Sequence, residues 1–145
     1  MDRKRILIVE DQPDGRELFV IMLRRLGYDT AEAITGLEAI DQARAAQPDL
    51  IFMDLALPGI TGDEATARLK ADPTTKDIPV IVLTAFHADS PHVARAIAAG
   101  AAEIAHKPVR FAVLQELVQR YLPSDEASDV RPASGSDENA MQQMP

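Results

Sequence analysis

Residues 50–59 read LIFMDLALPG, a short apolar run that ends in one acid and is followed by a Pro-Gly turn. An apolar run of this length between turn residues is typical of a strand buried on both faces, as in a parallel sheet. The pattern places Asp54 at the C-terminal end of that strand, the edge at which ligands bind in open α/β sheets. One acid alone is more simply a capping residue, so its meaning depends on the other strand ends.

Strand and helix patterns alternate five times along the chain. The other predicted strands cover 5–11, 28–33, 79–84 and 102–105. The first and last predicted helices cover 16–26 and 110–121, and the three helices between them begin near Thr35, Thr61 and Ser90. This alternation predicts an α/β fold with helices on both faces of a five-stranded parallel sheet. We expect the doubly wound, flavodoxin-like strand order 2-1-3-4-5.

The first helix shows which of its faces is apolar. Residues 12–15 are predicted to form a turn before it. At about 100° per residue, one apolar arc is predicted from Leu18, Phe19, Met22, Leu23 and Leu26. Val20 and Ile21 fall off this arc and are predicted to be half-covered surface residues or part of a surface for a partner.

Composition narrows the function classes. The chain has 145 residues, a net charge of −8 and no cysteine, which excludes disulfides and thiolate chemistry. The acidic balance argues against nucleic-acid binding, and we expect no membrane contact and a cytoplasmic protein. Residues 1–123 are predicted to form one domain. Residues 124–145, rich in Ser, Asp, Glu and Gln, are predicted to be an acidic, disordered tail or the start of a linker.

Polar residues lie at or directly after the C-terminal ends of four of the predicted strands. Glu10 and Asp11 end the first, Asp54 ends the third, Thr84 ends the fourth and Lys107 follows the fifth. In the expected strand order, the three carboxylates converge and repel one another, and a hard cation such as Mg²⁺ relieves that repulsion. A carboxylate can accept a phosphoryl group as a nucleophile, while a hydroxyl and an ammonium group can hold its oxygens. Singly, each residue has a structural explanation, but the combination predicts a phosphoryl-transfer site.

The chain from about Lys4 to Leu122 resembles the receiver domain of bacterial two-component response regulators, a CheY-like family. The matching stretches are ILIVED at 6–11, MDLALPG at 53–59, IVLTA at 81–85 and HKP at 106–108. The resemblance implies a stand-alone phosphoprotein in a phosphorelay, which takes a phosphoryl group onto Asp54 from a sensor histidine kinase or a histidine phosphotransfer protein. It would signal through contact with a downstream protein target.

The resemblance also implies a role for each residue of the site. Asp11, Asp54 and the backbone carbonyl of Ala56 would bind Mg²⁺, and Glu10 would hold metal-bound water. Thr84 and Lys107 would contact the phosphoryl oxygens, and the peptide bond from Lys107 to Pro108 would be cis. Such a domain is no enzyme with a separate substrate, since it promotes only its own phosphorylation and dephosphorylation.

Signal output is where this sequence departs from the family. In the family, the Thr84 side chain moves toward the phosphoryl group as an aromatic residue three positions before the lysine reorients, and this chain has Ile104 there. Phe86 is the alternative aromatic residue near Thr84. The implied output surface is formed by the fourth helix, fifth strand and fifth helix, with the candidates His92, Arg95, Ala96, Ala99, Ile104 and Ala112.

Other functions make different demands on the same positions. A haloacid-dehalogenase-type phosphatase would place an acid two residues after its nucleophile, where this chain has Ala56. A flavodoxin-like nucleotide binder would need a phosphate-cradling loop after the first strand, and the acids at 10–14 would repel phosphate. A pseudo-receiver scaffold without phosphorylation stays open because of Ile104.

Overall fold

The computed structural model describes residues 3–123, and their five strands form one parallel sheet in the order β2-β1-β3-β4-β5. The strands are β1 (Arg5–Val9), β2 (Asp29–Ala33), β3 (Leu50–Asp54), β4 (Val80–Thr84) and β5 (Glu103–His106). The helices are α1 (Pro13–Arg25), α2 (Gly36–Ala46), α3 (Gly62–Ala71), α4 (Pro91–Ala98) and α5 (Phe111–Tyr121). The predicted fold class and strand order are confirmed. The predicted tail from Ser124 lies outside the described residues.

The central strands are buried on both faces, as their continuous apolar runs predict. Every residue of β3 and β4 is buried, and so are Ile6 to Val9 of β1. On one face, alternate strand residues such as Met53 and Val82 share a core cluster with buried residues of α2, α3 and α4. On the other face, Phe52 of β3 meets Phe19 of α1 with ring centroids 5.9 Å apart. The helices of residues 3–111 therefore cover both faces of the sheet.

Strand register aligns the ends that matter for function. Val9 of β1 lies opposite Met53 of β3, Asp54 lies opposite Leu83 of β4, and Thr84 lies opposite His106 of β5. Because parallel strands all run the same way, the residues that end or follow them come to one edge of the sheet. Among the described strands, β2 pairs only with β1, so it forms one edge of the sheet.

Helix α1 begins earlier than predicted. Its first residue is Pro13, and the predicted turn at 12–15 is instead the first helical turn, closed by a hydrogen bond from Arg16 N to the Gln12 carbonyl at 2.9 Å. Proline fits the first helical position because that position needs no N–H donor and its φ is already helical. The prediction of a turn was therefore wrong, although its Pro and Gly residues are also common in turns.

The buried arc of α1 is also rotated from the predicted one. Val20 is 6% exposed, whereas Leu18 is 55% exposed, so both predictions were wrong. Phe19, Met22 and Leu23 are buried as predicted, and Ile21 is exposed. The apolar arc of the sequence is wider than the part that is covered. Tertiary packing, rather than hydropathy, therefore selects which edge of the arc is buried.

Capping side chains place the starts of two helices where the sequence predicts them. Thr35 Oγ1 accepts from Glu38 N at 3.0 Å at the start of α2, and Ser90 Oγ accepts from His92 N at 3.1 Å at the start of α4. Each hydroxyl satisfies one of the helix N–H groups that have no partner within the helix. The Ser90 cap fixes where the loop that follows β4 enters α4.

The C-terminal elements differ from the predictions by one residue at each start. β5 begins at Glu103 and ends at His106, and α5 begins at Phe111. Residues up to Phe111 form one compact unit that contains the whole sheet, and a second unit begins at Ala112. Within α5, Leu114, Leu117 and Val118 are buried. Among residues 3–123, no helix has the length and hydropathy needed to cross a membrane.

Candidate functional site

The predicted site residues meet at one edge of the sheet. Asp54 is the last residue of β3, Thr84 is the last residue of β4, and Lys107 directly follows β5. Glu10 directly follows β1, and its N–H donates to the Ala33 carbonyl at 3.1 Å, which continues the sheet pairing one residue beyond the strand. A cleft of about 430 Å³ at this edge is lined by Glu10, Asp11, Gln12, Asp54, Ala56, Thr84, Ala85, Phe86 and Lys107.

Backbone contacts hold Asp54 in place. Leu55 N donates to the Leu83 carbonyl at 2.8 Å, and Gly62 N donates to the Leu55 carbonyl at 2.9 Å, so the loop folds back onto the end of β3. A Cβ built on Gly62 would lie 2.2 Å from the Asp54 carbonyl oxygen and 2.8 Å from Leu55 Cα. Only glycine allows α3 to begin this close to the strand end. Gly62 is not among the site residues predicted from the sequence, and its signal there is a glycine in the first turn of a helix.

The ammonium group of Lys107 lies between two buried carboxylates. Its Nζ is 2.8 Å from Glu10 Oε1 and 3.2 Å from Asp54 Oδ1. Glu10 is 3% exposed and Asp54 is 4% exposed, so both charges are largely removed from water. A cation shared by two carboxylates offsets part of the cost of burying them.

The two carboxyl groups titrate differently in this environment. Burial, together with repulsion from Glu10, raises the pKa of Asp54 to about 6, although Lys107 acts in the opposite direction. Burial would also raise the pKa of Glu10, but the hydrogen bonds with Lys107, Asp54 and the Gln12 N–H, together with the charge of Lys107, outweigh it and lower that pKa. For Lys107, burial opposes the charged form, yet the two carboxylates raise its pKa. Glu10 and Lys107 are therefore the charged pair, and Asp54 is the acid whose ionisation is held back.

A third carboxylate completes a set with the chemistry of a hard-cation site. Glu10, Asp11 and Asp54 each offer an oxygen, and these oxygens lie within 4.8 Å of one another. Asp11 is half-buried, and both Asp11 and Ala56 line the cleft. Carboxylate and carbonyl oxygens are the ligands that Mg²⁺ takes in proteins, and Mg²⁺ keeps several waters. The residues present therefore fit a magnesium ion.

Thr84 is buried, and its hydroxyl is engaged by the next loop. Thr84 is 2% exposed, and its Oγ1 accepts a hydrogen bond from Phe86 N at 2.9 Å. The Lys107 N–H donates to the Thr84 carbonyl at 2.8 Å, which ties the ends of β4 and β5 together. The peptide bond between Lys107 and Pro108 is cis, as the sequence resemblance implied.

The position of the family's aromatic residue is occupied differently here. Ile104 lies in β5 opposite Val82 and packs, half-buried, against the core. Phe86 instead lies in the wall of the cleft and is 40% exposed. Its ring stacks on the His92 ring of α4 with centroids 4.4 Å apart and planes at 26°. The predicted proximity of Phe86 to Thr84 is confirmed.

Two histidines near Phe86 were not connected to the site by sequence reasoning. His106 Nδ1 lies 3.0 Å from the Phe86 carbonyl oxygen, and His92 Nδ1 lies 2.6 Å from Arg95 Nη2. The contact of His106 with Phe86 depends on the path of residues 85–90, which has no periodic pattern to predict it, whereas His92 and Arg95 lie three positions apart on α4. One candidate for the output surface is corrected, since Ala96 is fully buried in the core cluster.

Comparison with protein families gives a match over most of the chain. The family model described as the response regulator receiver domain matches residues 6–119. Among curated proteins, the polar-differentiation response regulator DivK of Brucella ovis is 46% identical over 83 residues, which cover 57% of this chain and 68% of that protein.

Solved structures agree with this match. The receiver domain of a sensor histidine kinase from Pseudomonas aeruginosa, with a magnesium ion coordinated in its active-site cleft, has a TM-score of 0.78 and 33% identity, and the match covers 85% of this chain and 100% of that one. The chemotaxis protein CheY4 of Vibrio cholerae has a TM-score of 0.77 and 29% identity, over 83% of this chain and 100% of that one.

Proposed function

Because the chain belongs to the response regulator receiver domain family and so acts in two-component signalling, we propose that Asp54 is the residue that accepts the phosphoryl group. The observation that carries this proposal is the contact of Asp54 Oδ1 with Lys107 Nζ at 3.2 Å, at a cleft that Thr84 also lines. A carboxylate, an ammonium group and the side chain of a threonine then line one cleft in which a phosphoryl group can be held.

In the proposed reaction, a carboxylate oxygen of Asp54 attacks phosphorus, and the bond from phosphorus to the donor breaks. The bonding electrons leave with the donor, which is the imidazole nitrogen of a phosphohistidine or a small-molecule phosphodonor. Lys107 offsets charge on the phosphoryl oxygens, and the Thr84 hydroxyl donates a hydrogen bond to one of them. Positioning and charge neutralisation are the main requirements of phosphoryl transfer, and these residues supply both.

Mg²⁺ is the proposed cofactor. Asp11, Asp54 and the Ala56 carbonyl would hold the ion, with Glu10 near its water ligands. When bound, Mg²⁺ neutralises charge that the incoming phosphoryl group brings to the carboxylates. The close set of Glu10, Asp11 and Asp54 oxygens supports this proposal, as does the magnesium ion in the similar kinase receiver domain.

The proposed partners follow from the chemistry of the donor and from the similar proteins. The donor would be a sensor histidine kinase or a histidine phosphotransfer protein, and the phosphorylated chain would bind a downstream protein target. We further propose that the chain acts on no separate substrate. Ala56 supports this, because the position two residues after Asp54 has no acid to protonate a leaving group. The predicted cytoplasmic location and the absence of nucleic-acid binding stay predictions.

Intact mass after incubation with Mg²⁺ and acetyl phosphate tests the proposal. We expect the full chain to gain one phosphoryl group that is stable in acid and lost in base, as an acyl phosphate is. Asp54→Asn should abolish the gain, whereas Asp14→Asn, at an exposed acid in the first turn of α1, should keep it. A gain that persists in Asp54→Asn would identify another nucleophile. No gain from acetyl phosphate or from a phosphorylated histidine phosphotransfer protein would favour the scaffold function.

A further inference from the structure

The hydroxyl of Thr84 is hydrogen-bonded within the chain before any phosphoryl group is present. Its Oγ1 accepts from Phe86 N at 2.9 Å. Rotation of the Thr84 side chain toward the cleft would carry Oγ1 away from that N–H. An N–H group left without a partner favours movement of the backbone until it finds one. The position of the Phe86 backbone therefore depends on the rotamer of Thr84.

The rest of Phe86 is attached to two other elements. Its carbonyl oxygen lies 3.0 Å from His106 Nδ1, and since a carbonyl only accepts, Nδ1 of His106 carries the proton. Its ring stacks on the ring of His92 at 4.4 Å between centroids. Stacked aromatic rings attract each other beyond the effect of the area that they bury. A movement of Phe86 would therefore displace His92 at the start of α4.

His92 is connected to helix α3 through Arg95. Its Nδ1 accepts from the Arg95 guanidinium at 2.6 Å, and Arg95 Nε lies 3.9 Å from Asp63 Oδ2 in the first turn of α3. His92 N–H also donates to the Ser90 cap at 3.1 Å. Because α4 has only 8 residues, a shift of its first turn moves a large part of the helix.

Position 104 in β5 has no aromatic ring that could connect Thr84 to the neighbouring elements. Ile104 is half-buried against the core and opposite Val82. Of the other phenylalanines, Phe19 and Phe52 face each other in the core, and the Phe111 ring faces the Arg25 guanidinium at 5.8 Å. Phe86 is the phenylalanine that contacts Thr84.

We propose that Phe86 couples the rotamer of Thr84 to helix α4 through its stack on His92, and that this path replaces the aromatic residue of β5. The trigger, a phosphoryl group on Asp54, rests on the proposed function. The coupling itself is a property of the unphosphorylated chain, so it can be tested separately. Phe86 is a positioning residue in this proposal, since it acts through His92.

A double-mutant cycle on the full chain tests the coupling without phosphorylation. Thr84→Val keeps the shape of the side chain and removes the oxygen that accepts from Phe86 N. We expect it to shift the backbone amide signals of α4 and the imidazole signals of His92. In a Phe86→Leu background, the effect of Thr84→Val on α4 should fall about fivefold, which is the lower end of typical coupling between sites.

Phe111→Leu is the matched control, because Phe111 is 37% exposed and Phe86 is 40% exposed. In the Phe111→Leu background, Thr84→Val should perturb α4 as strongly as in the native chain. The proposal is overturned if Thr84→Val leaves α4 unchanged in the native chain. It is equally overturned if the perturbation has the same size in the Phe86→Leu background.

A second measurement connects the coupling to the trigger. With Mg²⁺ and acetyl phosphate, His92→Ala should gain the phosphoryl group as the native chain does, while the response of α4 falls about fivefold. An undiminished α4 response in phosphorylated His92→Ala would overturn the stack as the path. If no chain gains a phosphoryl group, the proposed function fails, and the Thr84→Val cycle still decides the coupling.

Discussion

The Nζ of Lys107 lies 2.8 Å from Oε1 of Glu10, although 97 positions separate the two residues in the sequence. Glu10 is almost fully buried, whereas the Lys107 side chain keeps 29% of its exposure. The pair joins the ends of β1 and β5, which lie on opposite sides of β3 in the sheet. It therefore contributes to the closure of the cleft as well as to its charge balance.

Replacing Lys107 should destabilise the metal-free chain. Lys107→Met leaves Glu10 and Asp54 buried without their shared cation, and breaking a buried pair in this way costs about 3 kcal/mol. Urea unfolding in the presence of a chelator measures this loss. The control is Lys76→Met, at an exposed lysine whose side chain has no ion pair among the described contacts. An equal stability of Lys107→Met and the native chain would show that the contact has no net stabilising effect.

The stability of Asp54→Asn should depend on pH in a defined direction. The pKa of Asp54 rises from 3.8 to about 6 on folding, chiefly through burial, so between these values the folded chain holds a proton that the unfolded chain has lost. The stability that this group contributes is full below about pH 4 and is lost as the pH rises through about 6. Asn has no such titration. Between about pH 4 and pH 8, the free energy of unfolding of Asp54→Asn should therefore rise by about 2 kcal/mol relative to that of the native chain.

Chemical denaturation with chelator at several pH values checks this. The reference variant is Asp14→Asn, whose acid lies outside the carboxylate set of the cleft. Its stability relative to the native chain should change little over the same range. A constant difference between Asp54→Asn and the native chain would contradict a raised pKa of Asp54.

The sequence predicts most of the fold because the burial of its strands is unusually simple. β3 and β4 are buried on both faces, so their apolar runs are continuous and their ends are marked by Asp54 and Thr84. The site follows from that, since parallel strands bring their C-terminal ends to one edge. Once the strand ends are known, the positions of the polar residues in the sequence therefore predict which of them share the cleft.

What the sequence does not predict depends on packing and on loops. Leu18 and Val20 are both apolar, and only the neighbours of α1 decide that Val20 is the covered one. Likewise, the stack of Phe86 on His92 depends on the path of the loop between β4 and α4. A backbone without a repeating hydrogen-bond pattern leaves no periodic signal in the sequence.

Magnesium should stabilise the chain through the carboxylate set. A ligand that binds only the folded state at about 100 times its Kd adds about 2.7 kcal/mol of stability. Asp11→Asn removes one carboxylate from the set and should lose most of the rise in Tm with added Mg²⁺. Asp14→Asn should keep it, and Ca²⁺ titrated in parallel shows how selective the site is. The same rise in Tm for Asp11→Asn and Asp14→Asn would place the ion elsewhere.

Two glycines that lie close to site residues should respond to alanine in opposite ways. A methyl group on Gly62 would meet the Asp54 carbonyl oxygen at 2.2 Å, and because that atom is backbone, α3 or the end of β3 must move. On Gly15 in α1, the nearest atoms belong to the Glu10 side chain and lie 3.6 Å away, an ordinary contact. Gly62→Ala should cost about 2 kcal/mol of stability as an overpacked substitution. Gly15→Ala should gain up to about 1 kcal/mol of stability from helix propensity.

Urea unfolding gives the change in stability of both variants. Phosphorylation from acetyl phosphate should be slower only in Gly62→Ala, since that variant displaces the backbone that carries Asp54. A Gly62→Ala chain with native stability and native phosphorylation rate would contradict the close approach of α3 to the end of β3.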